Sequence, residues 1–135
     1  MSNMNMPALD PSAEPLRILA LDGGDLRVIS QMVILEELMG RVAQDRKEDS
    51  VLPCNYFHMI TGTGAGGLLA ILLGVLDLSI ERALEEFIGI YNRVVDASLT
   101  PSARSEMLEA WMTDLLERSN LPKNQPLMGT GTCPT

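Results

Sequence analysis

A glycine occupies the centre of a motif that in hydrolases holds the attacking group. Residues 62–66 match the G-x-S-x-G nucleophile elbow at both outer glycines, with Gly64 at the position of the serine. The five elbow residues are Gly62, Thr63, Gly64, Ala65 and Gly66. Nucleophilic catalysis needs an oxygen or sulfur atom at the tip of this strand-to-helix turn, and glycine supplies neither. Glycine accepts positive φ at little steric cost, so Gly64 favours the folding of the turn while it removes the reagent.

A second glycine-rich loop lies upstream, at residues 22–27. Its backbone N–H groups can converge on one point, as they do where a protein holds an oxyanion or a phosphate. The candidate oxyanion-hole residues are Gly23, Gly24, Asp25 and Arg27. The carboxylate of Asp25 opposes the stabilisation of a developing negative charge. Arg27 either acts directly at the site or braces the loop by pairing with Asp22 or Asp25.

The segments around the two loops predict the elements that would position them. Residues 16–21 form an apolar run typical of a strand, and residues 56–60 form a second such run before the elbow. The loop at 22–27 is followed by a predicted amphipathic helix whose apolar positions are Ile29, Met32, Val33, Leu35, Leu38, Met39 and Val42. The apolar run at 66–76 is too short to span a bilayer and predicts a buried helix packed on the sheet.

A strand that ends in D-G-G-x-x-R, an amphipathic helix, and a strand that ends in the elbow together resemble the patatin-like phospholipases, particularly the fungal branch. The resemblance is best between Arg17 and Tyr91 and includes residues 54–60 before the elbow. It implies a three-layer α/β fold and the hydrolysis of lipid acyl esters by a Ser/Asp dyad without a catalytic histidine. In that family the first loop supplies the oxyanion hole and the elbow supplies the serine.

The chain departs from this family pattern at each catalytic position. Asp25 stands where the family has its third glycine, and Val28 stands where it has the closing glycine. Gly64 replaces the serine, and no Asp-Gly pair follows residue 64 to supply the aspartate. The sequence therefore predicts a degenerate, catalytically inactive relative of these hydrolases, a pseudoenzyme of lipid metabolism with no cofactor.

Neighbouring side chains do not restore the missing chemistry. Thr61 and Thr63 carry hydroxyls, but adjacent positions on a strand or tight turn point in different directions from residue 64. His58 is the single histidine of the chain. At roughly 3.3 Å per strand residue it lies on the order of 20 Å from Gly64, so we interpret it as a packing residue at the start of a strand.

Three glycines also spell the dinucleotide fingerprint G-x-G-x-x-G, at Gly62, Gly64 and Gly67. A Rossmann unit continues from its helix into a second strand that bears an acidic residue about twenty positions on. Here the next segment is another predicted helix. Nucleotide binding is therefore the weaker alternative.

Composition narrows the classes of partner and of site. With 10 Lys and Arg against 18 Asp and Glu, the net charge is −8, which argues against nucleic acid and anionic membranes as partners. Two cysteines and one histidine form neither a disulfide framework nor a metal site. The sequence shows neither a signal peptide nor a transmembrane segment, so we expect an intracellular, cytoplasmic protein.

Two further helices are predicted after the elbow helix. Ser79 is a candidate N-cap, with Glu85 and Glu86 expected to face solvent. The first helix has its apolar face at Ile80, Leu84, Phe87, Tyr91 and Val94, and the second at Met107, Leu108, Trp111, Met112, Leu115 and Leu116.

The predicted organisation is a disordered leader at 1–15, a partial patatin-like domain at 16–120 and a loose tail at 121–135. Two strands are few for a layered α/β fold, so we expect a partial three-layer fold that lacks the C-terminal part of the sheet. Such a fold exposes apolar surface. The alternative function is therefore an interaction or regulatory module that binds a protein partner or itself.

Overall fold

Helices and two short strands build the computed structural model, which describes residues 12–124. The elements are, in order, β1 (Ile18–Leu21), α1 (Arg27–Arg46), α2 (Pro53–Tyr56), β2 (Met59–Gly62), α3 (Ala65–Gly74), α4 (Ile80–Val94) and α5 (Pro101–Arg118). The α/β class with two parallel strands flanked by helices confirms the predicted partial fold. The predicted leader and tail lie outside the described residues except for 12–15 and 121–124.

The two strands pair in parallel, and the pairing places the two glycine-rich loops at the same edge. Ile18 pairs with Met59 and Leu21 with Gly62, so both strands end side by side. Parallel strands require a crossover connection, and α1 provides it. The loop at 22–27 and the elbow therefore lie next to each other although about forty residues separate them in sequence.

One face of this sheet carries the core. Leu21 and Ile60 are buried, and Leu19 packs against them, together with the apolar side of α3. On the other face Ile18 and Met59 are 55% and 44% exposed. The described residues thus cover a single face of the sheet, as expected of a partial layer structure.

The second strand begins later than the sequence predicted. Residues 56–60 were expected to form it, but Tyr56 belongs to α2 and the strand starts at Met59. Pro53 occupies the first turn of α2, where its missing N–H costs no hydrogen bond, and the N–H of Phe57 donates to Pro53 O at 2.9 Å. The local proline geometry outweighs the strand preference of the aromatic residues.

The buried side of α1 is narrower than its apolar sequence pattern. Met32, Leu35, Met39 and Val42 are buried as predicted, whereas Val33 and Leu38 are exposed, which corrects that part of the prediction. Consecutive residues on a helix differ by about 100° in direction, so a neighbour of a buried residue leaves the contact stripe.

The prediction that Glu86 faces solvent is wrong. Its side chain is only 13% exposed and accepts a hydrogen bond from Trp111 Nε1 at 3.3 Å and another from Arg118 Nη1 at 3.1 Å. Both donors belong to α5, which packs on this side of α4. Ser79 caps α4 as predicted, since its hydroxyl accepts from the N–H of Arg82.

Candidate functional site

Gly64 forms the turn between the second strand and its helix. β2 ends at Gly62 and α3 begins at Ala65, and Gly64 stands at the N-cap with φ 55° and ψ −127°. Residues that carry a side chain rarely adopt this backbone conformation. Enzymes use such strained turns to present a reactive group. The structure therefore places the glycine at the tip of an elbow-shaped turn.

The two outer glycines of the elbow allow the strand, the helix and the first loop to meet. A β-carbon on Gly66 would lie 2.7 Å from Asp22 O and closer still to Leu21 O. On Gly62 it would lie 2.7 Å from the backbone N of Gly67. Real β-carbons do not approach backbone atoms this closely, so both positions require glycine.

Backbone and side-chain hydrogen bonds join the first loop to the elbow. The N–H of Thr63 donates to Leu21 O at 3.1 Å, and Thr63 Oγ1 accepts from the N–H of Gly23 at 3.2 Å. Gln31, on α1, fixes the loop from the other side by bonding both the N–H and the carbonyl of Asp22. The Thr63 hydroxyl thus holds the loop against the elbow.

Three consecutive N–H groups of the loop stay unbonded. Within residues 12–124, the N–H groups of Gly24, Asp25 and Leu26 have no hydrogen-bond partner, while those of Asp22, Gly23 and Arg27 are bonded. Gly24 has φ 115° and Asp25 has φ 53°. The loop can therefore still offer adjacent donors, and the Asp25 carboxylate stands beside them.

Arg27 lies over the loop. A β-carbon on Gly24 would be 3.0 Å from Arg27 Nε, which shows that the guanidinium packs against this glycine. Neither Asp22 nor Asp25 forms an ion pair with Arg27 in the described part of the chain. Arg27 therefore contacts the loop by packing, without an ion pair to either aspartate within residues 12–124.

A cavity of about 420 Å³ opens at the elbow, and we call it the elbow cavity. Gly64 and Asp25 line it where the two loops meet. The rest of its wall is mainly apolar and includes Leu68 of α3, Phe87 and Ile90 of α4, and Leu108 of α5. A mainly apolar cavity with few polar groups is typical of sites that bind small apolar ligands.

Sequence reasoning did not find the α4 and α5 side of this cavity. Arg104 lines it from α5, and its Nε is a buried polar atom without a hydrogen-bond partner. Arg104 and Leu108 are four residues apart, so the sequence does place both on one face of α5. That the face meets the elbow depends on how α4 and α5 pack.

None of the remaining candidate residues, Thr61, Thr63 and His58, lines the elbow cavity. Thr61 is exposed on β2, and Thr63 is engaged with Gly23. His58 Nδ1 accepts from the N–H of Arg17 at 2.9 Å, so it fastens the segments that precede the two strands.

Three further features of the described residues concern nucleotide binding, metal binding and membrane insertion. After α3 the chain enters α4, so among residues 12–124 no strand follows the glycine fingerprint to hold a ribose. The described region contains no cluster of acidic, histidine and cysteine residues that could bind a metal ion. Among the helices described, none has the length and apolar character needed to cross a bilayer.

Part of this chain is related to patatin-like phospholipases. It is 36% identical over 69 residues to "Patatin-like phospholipase 1" of Plasmodium falciparum (isolate NF54), which covers 50% of this chain and 10% of the relative. It is 34% identical over 87 residues to "Phospholipase A I" of Arabidopsis thaliana, covering 64% of this chain and 6% of the relative. The relationship extends to "Probable inactive patatin-3-Kuras 1" of Solanum tuberosum, 39% identical over 61 residues, which cover 44% of this chain and 16% of that protein.

The chain thus spans between 6% and 16% of the length of these relatives. No family model matches it. No solved structure is significantly similar to it.

Proposed function

We propose that this chain is a catalytically inactive relative of the patatin-like lipid acyl hydrolases. The observation that carries the proposal is the backbone of Gly64, which has the positive φ of an elbow turn and no side chain. An acyl transfer needs an atom that attacks the ester carbonyl, and the centre of the site provides none. The family relationship supports a lipid or acyl ester as the ligand.

The first loop supports the same conclusion. Asp25 stands where the resemblance expects glycine, and it lines the elbow cavity together with Gly64. A carboxylate at this position disfavours the build-up of negative charge on a substrate oxygen, the opposite of what an oxyanion hole does. Loss of the nucleophile and loss of electrostatic stabilisation therefore coincide.

Hydrolysis assays of the purified chain, with a fluorogenic short-chain ester and with a phospholipid as substrates, test the proposal. We expect no hydrolysis above the buffer rate for the natural chain, for Gly64→Ala, and for Thr63→Val. Turnover that persists in Gly64→Ala but disappears in Thr63→Val would identify Thr63 as a nucleophile and overturn the proposal. Turnover that persists in both would place the reaction elsewhere in the molecule.

The uncovered sheet face supports a second candidate function, self-association through a second copy of the chain. Ile18 and Met59 are paired neighbours on this face and are both exposed. Both strands are edge strands, which can pair with another chain. Sedimentation equilibrium should then show a dimer that Met59→Lys disrupts and the control Leu38→Lys, on α1, does not. A folded chain that stays monomeric at all concentrations would remove this candidate.

A further inference from the structure

The elbow cavity combines an apolar wall with an arginine that forms no ion pair with the described residues. Arg104 lines the cavity, and no carboxylate within the described residues lies within ion-pair distance of its guanidinium. This is unusual in a chain whose net charge is −8. A half-buried cation without a direct ion pair beside an apolar cavity provides electrostatic complementarity to an anionic amphiphile.

The hydrogen bonds of Arg104 leave a donor unused. Its Nη2 donates to the backbone carbonyl of Asp96 at 3.3 Å, which is a weak, long contact. Its Nε is buried and has no partner. The carboxylate of Asp96, in the α4–α5 turn, interacts electrostatically with Arg104 but lies beyond ion-pair distance, and it accepts hydrogen bonds from the N–H and the hydroxyl of Ser98 at 2.9 and 2.7 Å. A buried donor without an acceptor is unfavourable, and a shift of the guanidinium towards the cavity would let an acceptor on a ligand satisfy it.

The apolar wall near Arg104 suits an alkyl chain. Leu108 lies one helical turn beyond Arg104 on α5, and Val94 and Val95 close the cavity from the end of α4. Phe87 and Ile90 are almost fully buried beneath it. The volume of about 420 Å³ is near the lower end of the range of about 300–1,000 Å³ for ligand sites, which favours a single chain over a two-chain lipid.

The second charged residue of the cavity fixes how such a ligand is oriented. Asp25 lines the cavity from the first loop, beside Gly64. It repels a carboxylate at the elbow, whereas Arg104 attracts one at α5. The charged end of the ligand therefore belongs at Arg104, not at the position where a hydrolase would hold an ester carbonyl.

We propose that the elbow cavity binds a long-chain fatty carboxylate, with the carboxylate bonded to the Arg104 guanidinium and the alkyl chain along the apolar wall. This deepens the proposed function, on which it rests for the lipid character of the ligand. It gives the inactive site a binding role that does not require a nucleophile. Arg104 is the residue that selects a free carboxylate over its ester.

Calorimetric titration with oleate, methyl oleate and a single-chain lysophosphatidylcholine, each below its aggregation concentration, tests the proposal. For the natural chain we expect oleate to bind at least tenfold more tightly than methyl oleate. Arg104→Gln should weaken oleate binding by at least tenfold and leave methyl oleate unchanged. The control Arg93→Gln removes an exposed cation from α4 and should not change either affinity.

Equal affinity of the natural chain for oleate and methyl oleate would overturn the proposal without any variant, so misfolding of Arg104→Gln cannot obscure the result. Oleate affinity unaffected by Arg104→Gln would also overturn it. Binding of lysophosphatidylcholine that is tighter than that of oleate and sensitive to Arg104→Gln would show that the site selects a phosphate, against the proposal. Mass spectrometry of the methyl oleate sample detects any hydrolysis, which would contradict the inactive site and not the role of Arg104.

Discussion

The space beside Gly64 opens towards Gly23. A β-carbon built on Gly64 meets only the Cα of Gly23, at 3.7 Å, which is ordinary van der Waals contact. The site therefore has room for the serine side chain that the elbow pattern expects, and the first loop is the surface which that side chain would face. Residue 64 thus has no side chain, beside a space that would accommodate one.

We expect Gly64→Ser to fold and to remain inactive. The φ of 55° costs a residue with a side chain about 1–3 kcal/mol, and the space beside residue 64 adds no steric penalty. Hydrolysis still requires a base for the serine, and no Asp-Gly pair follows residue 64 in the 135-residue sequence. Thermal denaturation and an ester-hydrolysis assay check both parts.

Measurable turnover by Gly64→Ser would show that another carboxylate reaches the elbow. Asp25 is the first to examine because it shares the elbow cavity with residue 64. Loss of the new activity in Gly64→Ser/Asp25→Asn would assign the base to Asp25. Retention of activity in that double variant would point to Asp96 or to Asp77, which lies between α3 and α4.

Gly66→Ala should destabilise the fold strongly, and Gly89→Ala should not. The added methyl group at position 66 overlaps the carbonyl oxygens at the end of β1, so the elbow must move away from the first loop, at a cost of about 3 kcal/mol. Gly89 is exposed on α4 with nothing within 4 Å, and alanine there should stabilise the helix by about 0.5–1 kcal/mol. Urea denaturation of both variants measures the contrast, and equal stabilities would contradict the close packing at Gly66.

Glu86 should contribute to stability in a pH-dependent manner. The hydrogen bond from Arg118, more than any other interaction, lowers the pKa of Glu86, while burial acts in the opposite direction. Because the pKa of Glu86 is lower in the folded state, its contribution to the free energy of unfolding is complete above the ordinary pKa of 4.5. That contribution is lost as the pH falls through the pKa of the folded state. Glu86→Gln should therefore cost about 1–2 kcal/mol at pH 7 and less as the pH is lowered below 4.5.

The matched control for Glu86→Gln is Glu85→Gln. Glu85 is exposed and, within residues 12–124, pairs only with Arg82 on the same helix, so its removal should change stability by less than about 0.5 kcal/mol. Denaturation of both variants at pH 7 and pH 3.5 separates the two carboxylates. A loss in Glu86→Gln that is the same at both pH values would contradict the assignment of the effect to the ionised carboxylate.

The described residues should unfold in one cooperative transition that Trp111 reports. Trp111 is buried on α5 and is tied to α4 through Glu86, and both helices join one hydrophobic core with α1, α3 and the strands. A single core usually unfolds as a unit. Trp111 fluorescence and near-UV circular dichroism should lose their native signals at the same temperature, and non-coincident transitions would show that α5 unfolds separately.

The sequence predicted those parts of the site that depend on neighbours along the chain. The strand before each glycine-rich loop, the helix after it and the Ser79 cap follow from periodicity and from side-chain hydrogen-bonding capacity within a few residues. The start of β2 was predicted less well because Pro53 imposes a helical turn on aromatic residues that favour a strand in isolation. Glu86 was misplaced because its partner Arg118 lies 32 residues away.

By itself the sequence determined the absence of a nucleophile at residue 64, the negative net charge and the presence of an α/β pattern. These properties depend on residue types and their local spacing. Only the tertiary structure decided that Asp25, Gly64 and Arg104 line one cavity. Those three residues come from different parts of the chain. They meet because β1 pairs in parallel with β2 and because α4 and α5 pack against α3 and against each other. No local sequence pattern encodes these long-range contacts.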